Sequence, residues 1–251
     1  AETAGLAFGR LAAEFIRTKV VPELDAFRFA CYAGKPGTSS AEGTLASGAD
    51  VIAAISAAVT EMDENEVPSD QRHLRITSTL LRAIKDMDSY KSREVLESFA
   101  SVKPVPQRRF YTAIEQLSGK DGEKAGGFRK YGKHYVKCAQ GDTGALEVIA
   151  DSGTVSGAQI KAADVTPVAD PAYKPAAGDY VKAVAGAEIN FMILHAPALI
   201  QFQKHVAPKI VSPEQNQTGD AWKYGYRNFG IADVYANKLA GVFCHHKAAG
   251  V

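Results

Sequence analysis

The feature that most constrains this chain is a proline inside a long helical pattern near its start. Residues 2–33 contain almost no loop-forming residues, and their apolar side chains recur every three to five positions. A continuous helix of this length would span about 45 Å. Pro22 lacks an amide hydrogen and its ring crowds the preceding turn, so the helix must kink or restart there. The apolar face consists of Leu11, Phe15, Val20, Leu24, Phe27 and Cys31.

Length and composition are those of an ordinary globular protein. The chain has 251 residues, of which 46% are hydrophobic and 23% charged. A net charge of +1 excludes a global field that would recruit nucleic acid or a membrane. The three cysteines are odd in number and far apart, which argues against a disulfide framework and for a reducing compartment. Because the chain starts inside a helical pattern without Met, we expect a further segment before Ala1.

A second helix is predicted after a stretch of helix-breaking residues at 34–48. Ser47 or Asp50 can cap it, and it stops before Pro68 in an acidic cluster. The cluster lacks the ligand order of a calcium loop, so it predicts a solvated helix end rather than a cation site. The buried face would be Val51, Ile52, Ile55, Val59 and Met62, and the acidic cluster is Glu61, Asp63, Glu64 and Glu66.

Two segments each predict a strand followed by a helix. Residues 73–77 read as a short strand, after which Thr77 or Ser78 would cap a helix. Residues 189–195 form an apolar strand, and Pro197 suits the first position of a second helix. The two units predict an α+β protein in which one mixed sheet has helices packed against it. The first helix would bury Leu81 and Ile84.

The middle of the chain changes character twice. Residues 94–99 predict a helix, and residues 102–117 have the β-branched and aromatic content of a strand. Residues 118–187 are rich in Ala, Gly, Val, Asp and Pro, which predicts an inserted, loop-rich β element. Strand-like pieces lie within it at 145–150 and 180–184.

The C-terminal part predicts further strands. Residues 222–229 and 231–235 alternate enough to be strands, Asn237-Lys238 suits a turn, and residues 241–246 suit a return strand. Several aromatic residues here stand beside amides and single charges. They are either subunit contacts or core aromatics of an edge sheet, and the sequence leaves both open. These residues are Trp222, Tyr224, Tyr226 and Phe229.

The sequence lacks the motifs that carry catalysis or metal binding: a phosphate loop, GxGxxG, GxSxG, HExxH and CxxC. His195 has neighbours that offer it no partner, so a structural histidine is favoured over a catalytic base. On a strand His245 and His246 point to opposite faces, and Cys244 with His246 would need a further ligand. We therefore predict partly exposed structural histidines, no catalytic, cofactor-binding or metal residues, no cofactor, and no enzymatic activity.

A basic stretch with interleaved aromatic residues, 120–137, fits single-strand nucleic-acid binding in composition. Its glycines give no rigid platform and the whole chain is nearly neutral, so a solvated loop or hairpin is the favoured interpretation. The nucleic-acid alternative would depend on Lys124, Arg129, Lys130 and Lys133.

Five phrases, in this order, resemble one known family. They are KVVPELDAFRFACYAG (19–34), LLRAIKDMDSYKS (80–92), VPQRRFYTAIEQL (105–117), INFMILH (189–195) and HVAPKIVSPEQNQTGDAWKYGYRNFGIADVY (205–235). Together they resemble the major capsid proteins of tailed bacteriophages, the lineage with the HK97-like fold. The resemblance covers about two thirds of the chain, residues 4–117 and 188–246.

The resemblance implies a structural shell subunit. Residues 1–45 and 203–232 would form a peripheral region with residues 2–33 as its spine helix. Residues 46–202 and 233–251 would form an axial region, including the insertion at 118–187. Such a subunit self-assembles into pentamers and hexamers of an icosahedral shell around the DNA genome. The arm and extended loop that usually precede the spine helix have no counterpart in this sequence.

The same resemblance implies the partners and the location. The chain would contact copies of itself, scaffolding, decoration and portal proteins, and packaged double-stranded DNA without sequence specificity, but no membrane. It would assemble in the bacterial host cytoplasm and reside in the virion.

Three alternatives stay open. One is an encapsulin-like nanocompartment shell around protein cargo, and another is a soluble α+β enzyme with a site around His195 and His205. The third is a binding module whose function lies in the insertion, within residues 120–185.

Overall fold

The structure is a computed structural model of the chain, and it describes residues 2–117, 127–131, 134–137, 144–149, 155–162 and 180–248. Side chains are described for residues 7–117, 127–131, 185–204 and 206–248. No helix in this part of the chain combines the length and the apolar composition that crossing a membrane requires.

The opening helix stays helical through its proline by widening one turn. Helix α1 (Glu2–Phe15) leads into a π-helical turn (Ile16–Val20) and then into helix α2 (Val21–Ala33). The Val21 N–H donates to the Ile16 carbonyl, five residues back. The wider turn accommodates the ring of Pro22 and its missing amide hydrogen, while Val21 keeps helical dihedral angles of φ −62° and ψ −48°. The predicted interruption at Pro22 is confirmed, as a bulge rather than a break.

The second predicted helix is confirmed with both of its candidate capping residues in use. Helix α3 (Gly48–Glu64) starts after Ser47, whose Oγ accepts from the Asp50 N–H at 3.2 Å. The Asp50 carboxylate in turn accepts from the Ser47 N–H at 2.9 Å, which completes a capping box. Helices α4 (Ser78–Asp86) and α5 (Tyr90–Glu97) follow. The predicted helix at 94–99 therefore starts earlier, where Ser89 and Ser92 form a second capping box.

Thirteen strands lie in the described part of the chain, in four sheets. They are β1 (Ser39–Glu42), β2 (Arg72–Thr77), β3 (Ser101–Val105), β4 (Ile114–Leu117), β5 (Gly127–Lys130), β6 (His134–Lys137), β7 (Gly144–Ile149), β8 (Val155–Ala162), β9 (Tyr180–Val184), β10 (Ile189–His195), β11 (Leu199–Val211), β12 (Lys223–Val234) and β13 (Val242–His246).

A five-stranded mixed sheet in the order β1-β13-β10-β2-β3 forms the centre of the molecule. The β1–β13 and β2–β3 pairs are parallel, whereas β10 runs antiparallel to both β13 and β2. All seven residues of the central strand β10 are buried. This α+β arrangement confirms the predicted fold class at the level of a mixed sheet with packed helices.

Side chains on the two faces of the sheet pack in two separate hydrophobic cores. On one face Leu74, Ile76, Phe191 and Ile193 pack in a cluster with residues of α3 and α4. On the other face Met192, Leu194, Val242 and Cys244 form a cluster that includes Tyr32 of α2. Successive side chains of a strand point to opposite faces, so a strand buried on both sides is apolar throughout.

In the second predicted strand–helix unit the strand is confirmed as β10, but the helix after it is wrong. Pro197 lies in a 3-10 turn (Ala196–Ala198), and the chain then enters the 13-residue strand β11 instead of a helix. A proline is tolerated in the first turn of either kind of helix, so Pro197 did not discriminate between them. Pairing of β11 with β12 along its length stabilises the strand, and Pro208 would in any case have interrupted a helix.

The strand predicted at 102–117 is divided. Strand β3 ends at Val105, a 3-10 turn covers Gln107–Arg109, and β4 pairs with β5. Pro104 is accommodated because β3 is an edge strand, and Pro106 ends it. In the predicted insertion, strands β7 and β9 match the predicted pieces, and a four-stranded sheet has the order β6-β9-β7-β8. The rest of that prediction lies outside the described residues.

Strands β11 and β12 form a two-stranded antiparallel ribbon. The two strands predicted at 222–229 and 231–235 are one continuous strand, because Gly230 stays paired with Gln203. A turn follows at Ala236–Asn237, as predicted, and the return strand β13 is confirmed. It joins the five-stranded sheet rather than the ribbon.

Candidate functional site

His195, which the sequence offered as a candidate catalytic base, lies at the end of β10. His195 is 7% exposed, and burial lowers its pKa. A Cβ at Gly241 would lie 3.7 Å from the His195 Nδ1, so the ring lies close to the Gly241 backbone. His205 lies in β11, and its side chain is outside the described residues. No catalytic grouping forms around His195.

The prediction of a partly exposed imidazole is wrong for His245, which is 5% exposed. Its Nδ1 lies 3.0 Å from Asn190 Nδ2, which also donates to the Gly43 carbonyl at 3.0 Å. The ring stacks on Phe191 with centroids 5.1 Å apart, and burial lowers the pKa of His245. His245 therefore links the segment after β1 to the sheet.

A metal site does not form from the C-terminal residues that the sequence singled out. Cys244 is buried, which raises its pKa to about 12, whereas His246 is half-buried. Within the described ranges, no group of three or more His, Cys, Asp or Glu side chains could hold a metal ion.

The acidic cluster at the end of α3 is exposed, as predicted, and one of its members supports a buried arginine. The Arg72 guanidinium donates to Asp63 at 2.7 Å, to the Pro68 carbonyl at 2.9 Å and to the Val67 carbonyl. Arg72 is 2% exposed. These bonds fix the connection from α3 to β2.

The basic stretch at 120–137 is described only in part. Arg129 forms an ion pair with Glu115 at 2.8 Å across the β4–β5 pair, which suits a hairpin surface. Lys130 is exposed. Lys124 and Lys133 lie outside the described residues, so the nucleic-acid alternative stays a prediction.

A large concave surface lies between the opening helix and the β11–β12 ribbon. We call it the helix–ribbon groove; its volume is about 710 Å³. Three aromatic contacts join helix and ribbon: Phe8 lies 5.7 Å from Trp222 and 6.1 Å from Tyr224, and Phe15 lies 6.0 Å from Tyr224, all between ring centroids. The main apolar lining is Phe8, Leu11, Phe15, Leu24, Phe27, Phe202, Tyr226 and Ile231.

Large apolar side chains are exposed in and around this groove. Leu11 is 64% exposed, Phe202 60% and Ile231 62%. Of the twelve large hydrophobic residues that are exposed in the described chain, eight belong to α1, the ribbon or the residue before β12. Contiguous apolar surface of this kind marks sites of interaction in soluble proteins. The eight are Leu11, Phe15, Phe202, Val206, Ile210, Trp222, Phe229 and Ile231.

The ribbon side of the groove also holds polar atoms without partners. The Tyr224 hydroxyl and both polar atoms of the Asn228 amide are buried and make no hydrogen bond within the described residues. Leaving such a group unsatisfied costs about 1–3 kcal/mol. The groove is therefore neither a well-packed core nor an ordinary polar surface.

None of the four aromatic residues that the sequence singled out in the C-terminal part is fully buried. Trp222 and Phe229 are 43% and 56% exposed, while Tyr224 and Tyr226 are half-buried towards the helix. Of the two readings that the sequence left open, the core-aromatic one is wrong for the exposed pair.

Comparisons with known proteins give little beyond this. No protein-family model and no curated protein matches the chain. Among solved structures, a chain described as "Mycobacterium phage Che8" matches with 12% identical residues and a TM-score of 0.45. The match covers 95% of this chain and 62% of that one, so this chain spans less than two thirds of its length. Similarity at this level does not establish a common fold.

Proposed function

We propose that this chain is a major capsid protein of a tailed bacteriophage, a structural subunit with no enzymatic activity. The observation that carries the proposal is the exposed apolar surface of the helix–ribbon groove, which suits a protein that is complete only when other molecules cover it. The five sequence phrases that resemble capsid proteins with the HK97-like fold support the same conclusion.

In this proposal the continuous segment of α1, the π turn and α2 is the spine of a peripheral region, with the ribbon beside it. The peripheral region comprises residues 1–45 and 203–232, and the axial region comprises residues 46–202 and 233–251 with the insertion at 118–187. The five-stranded sheet would form the body of the axial region.

The mechanism is assembly. Copies join into pentamers and hexamers, and these close an icosahedral shell around double-stranded DNA. Each contact can be weak, because a closed shell multiplies the contacts that every subunit makes. A subunit that joins rings of five and six must meet its neighbours at slightly different angles, and the π turn before Pro22 is a place for such bending.

The proposed partners are other copies of the chain, scaffolding, decoration and portal proteins, and packaged DNA contacted through its phosphates. Assembly would take place in the bacterial host cytoplasm, and the product would be the virion.

Electron microscopy of the expressed chain, with sedimentation velocity on the same sample, tests the proposal. Shells, or five- and six-membered rings, are the expected particles. A chain that stays monomeric at every salt and protein concentration tried contradicts the proposal. Genomic DNA in particles from infected cells is expected, whereas a packaged enzyme would favour an encapsulin-like shell.

A further inference from the structure

One edge of the five-stranded sheet carries a row of partly exposed cations. In the parallel β2–β3 pair, Arg75 stands opposite Lys103 and His73 opposite Ser101. Because Leu74 and Ile76 point into the core on the α3 side, Arg75 and its neighbours point to the other face. Helix α2 covers the β10 and β13 part of that face, but Lys103 is exposed and Arg75 is half-buried.

Arg109 adds a further cation beside this pair, and we call Arg75, Lys103 and Arg109 together the basic strip. The Asp25 carboxylate lies close to it and is bound to Arg109 at 2.9 Å. Arg75 itself donates only to the Leu74 carbonyl and to Ser101 Oγ, both at 3.2 Å, and has no carboxylate within ion-pair distance among the described residues.

The charges of the strip are thus incompletely balanced within the chain. Burial lowers the pKa of Arg75, with Asp25 acting in the opposite direction, and burial also lowers the pKa of His73, reinforced by Arg75 and Lys103. Like charges directly opposite each other on neighbouring strands destabilise a sheet. An anionic partner would offset this repulsion.

The same chain carries anions that lack cations. Four carboxylates cluster at the C-terminal end of α3, and all four are exposed. Carboxylates at this end of a helix oppose the helix dipole, so they are stabilised by an external cation. Asp63 has Arg72, but Glu61, Glu64 and Glu66 have no ion pair within the described residues.

The positions of the two charged surfaces suit contact between different copies. Helix α3 packs on one face of the five-stranded sheet, and the basic strip lies on the opposite face. Two different surfaces that meet across an interface generate rings or filaments rather than two-fold dimers. A nucleic acid would be recognised by a predominantly basic surface, whereas this chain has a net charge of +1 and both signs in separate clusters.

We infer that the basic strip receives the acidic end of α3 from a second copy of the chain, in a head-to-tail contact that repeats around a ring. This contact rests on the proposed self-assembly and names one of its interfaces. It is distinct from the helix–ribbon groove, which lies on the opening helix and the ribbon.

Charge-reversal variants of the full chain test the contact by sedimentation velocity at about 50 mM and about 500 mM salt. Lys103→Glu with Arg75→Gln should raise the protein concentration needed for assembly by roughly tenfold at the lower salt, and less at the higher salt. The matched control, Lys85→Glu with Arg82→Gln, changes the net charge by the same amount on exposed residues of α4. It should change the protein concentration needed for assembly by less than about twofold.

Rescue experiments identify the partner surface. Glu61→Lys, Glu64→Lys and Glu66→Lys are each combined with Lys103→Glu, and at least one combination should return assembly to within about threefold of the wild type. Absence of any rescue, or an equal loss in the α4 control, overturns the contact. Intact assembly with loss of nucleic acid from the particles would also overturn it and assign the strip to phosphate binding. A wild-type chain that never assembles contradicts the proposed function itself, whereas wild-type assembly that ignores the strip contradicts this contact alone.

Discussion

The five-stranded sheet and the helix–ribbon region contain similar apolar residues, but the sheet buries them and the helix–ribbon region leaves many of them exposed. In the sheet, Phe191 and Ile193 are fully buried between α2 on one face and α3 and α4 on the other. In the helix–ribbon region, Leu11 and Ile231 are more than half exposed. The apolar core of the sheet is covered by the described residues of the chain itself, whereas the helix–ribbon region has an apolar surface that the described residues leave exposed.

The opening helix contributes to both regions: α2 packs on the sheet, and α1 lies against the ribbon. Helix α2 is held by the ion pair from Asp25 to Arg109 at 2.9 Å, and the segment just after α2 by the ion pair from Lys35 to Asp233 at 2.8 Å. Helix α1 is joined to the ribbon by the aromatic contacts of Phe8 and Phe15. The π turn lies between the two halves, and the exposed side chains Leu11 and Phe15 lie on the α1 side of it.

The comparison is tested most directly by the same substitution in both regions. Ile193→Ala should lower the free energy of unfolding by about 2–5 kcal/mol, because it removes a fully buried side chain and leaves a cavity. Ile231→Ala should lower it by less than about 0.5 kcal/mol, since this side chain is 62% exposed. Urea denaturation of the unassembled chain measures both. Similar losses at the two sites would show that the ribbon is part of the folded core.

A buried cation provides the second test of the sheet region. Arg72→Met should cost about 3 kcal/mol, because the Val67 and Pro68 carbonyls lose their donor and the link to Asp63 is broken. Arg82→Met, on the exposed surface of α4, is the control and should be nearly neutral. Equal urea midpoints for the two variants would contradict the structural role of Arg72.

Polar substitution in the groove should separate assembly from folding. Leu11→Asp should leave the free energy of unfolding within about 0.5 kcal/mol of the wild type and weaken assembly by roughly tenfold or more, because it places a charge in an apolar contact. Tyr90→Asp, on an α5 residue that is 83% exposed against 64% for Leu11, should affect neither. Sedimentation velocity and urea denaturation measure the two effects. Assembly that tolerates Leu11→Asp would mean that the groove faces solvent in the particle.

Pro22→Ala tests the role of the π turn between α1 and α2. The new amide hydrogen allows a regular α-helical turn, which would rotate the apolar face of α1 relative to that of α2. The free energy of unfolding should change by less than about 1 kcal/mol. The protein concentration needed for assembly should change by more than it does in the control Lys19→Ala, which replaces an exposed residue of the π turn. Equal losses of folding and assembly would argue against a role for the bulge in subunit geometry.

The elements that the sequence predicted well are those whose signals are local. The capping box of Ser47 and Asp50 and the apolar run of β10 are read from neighbouring residues, and both appear as expected. The strand after Pro197 was missed, because its stability comes from pairing with β12, whose partner residues lie 12 to 35 positions later. Local spacing had favoured a helix there, and tertiary pairing overrode it.

The candidate surfaces were less predictable for the same reason. The burial of His245 depends on Asn190, 55 residues earlier, and the basic strip depends on the register that sets Arg75 opposite Lys103. The groove joins Leu11 to Ile231 across almost the whole chain. An apolar face can be read from sequence periodicity, but whether the chain covers it is decided by distant residues.

The smallest expected effect is a pH dependence confined to the sheet. Burial lowers the pKa of His73, His195 and His245, so the folded state disfavours their protonated forms. The unfolded chain protonates these rings near pH 6.5 and then binds more protons than the folded one, so stability should be constant above about pH 7 and fall as the pH drops below it. Urea denaturation between about pH 7.5 and 5.5 measures this slope, above the range where carboxylates titrate. His245→Gln keeps a neutral acceptor for Asn190 and should reduce the slope by at most one proton, or about 1.4 kcal/mol per pH unit, while Gln substitution of the exposed Lys85 should leave the slope unchanged. If His245→Gln does not reduce the slope, the pH dependence of stability arises outside β13. That result would weaken the contrast between the buried side chains of the sheet and the exposed side chains of the groove.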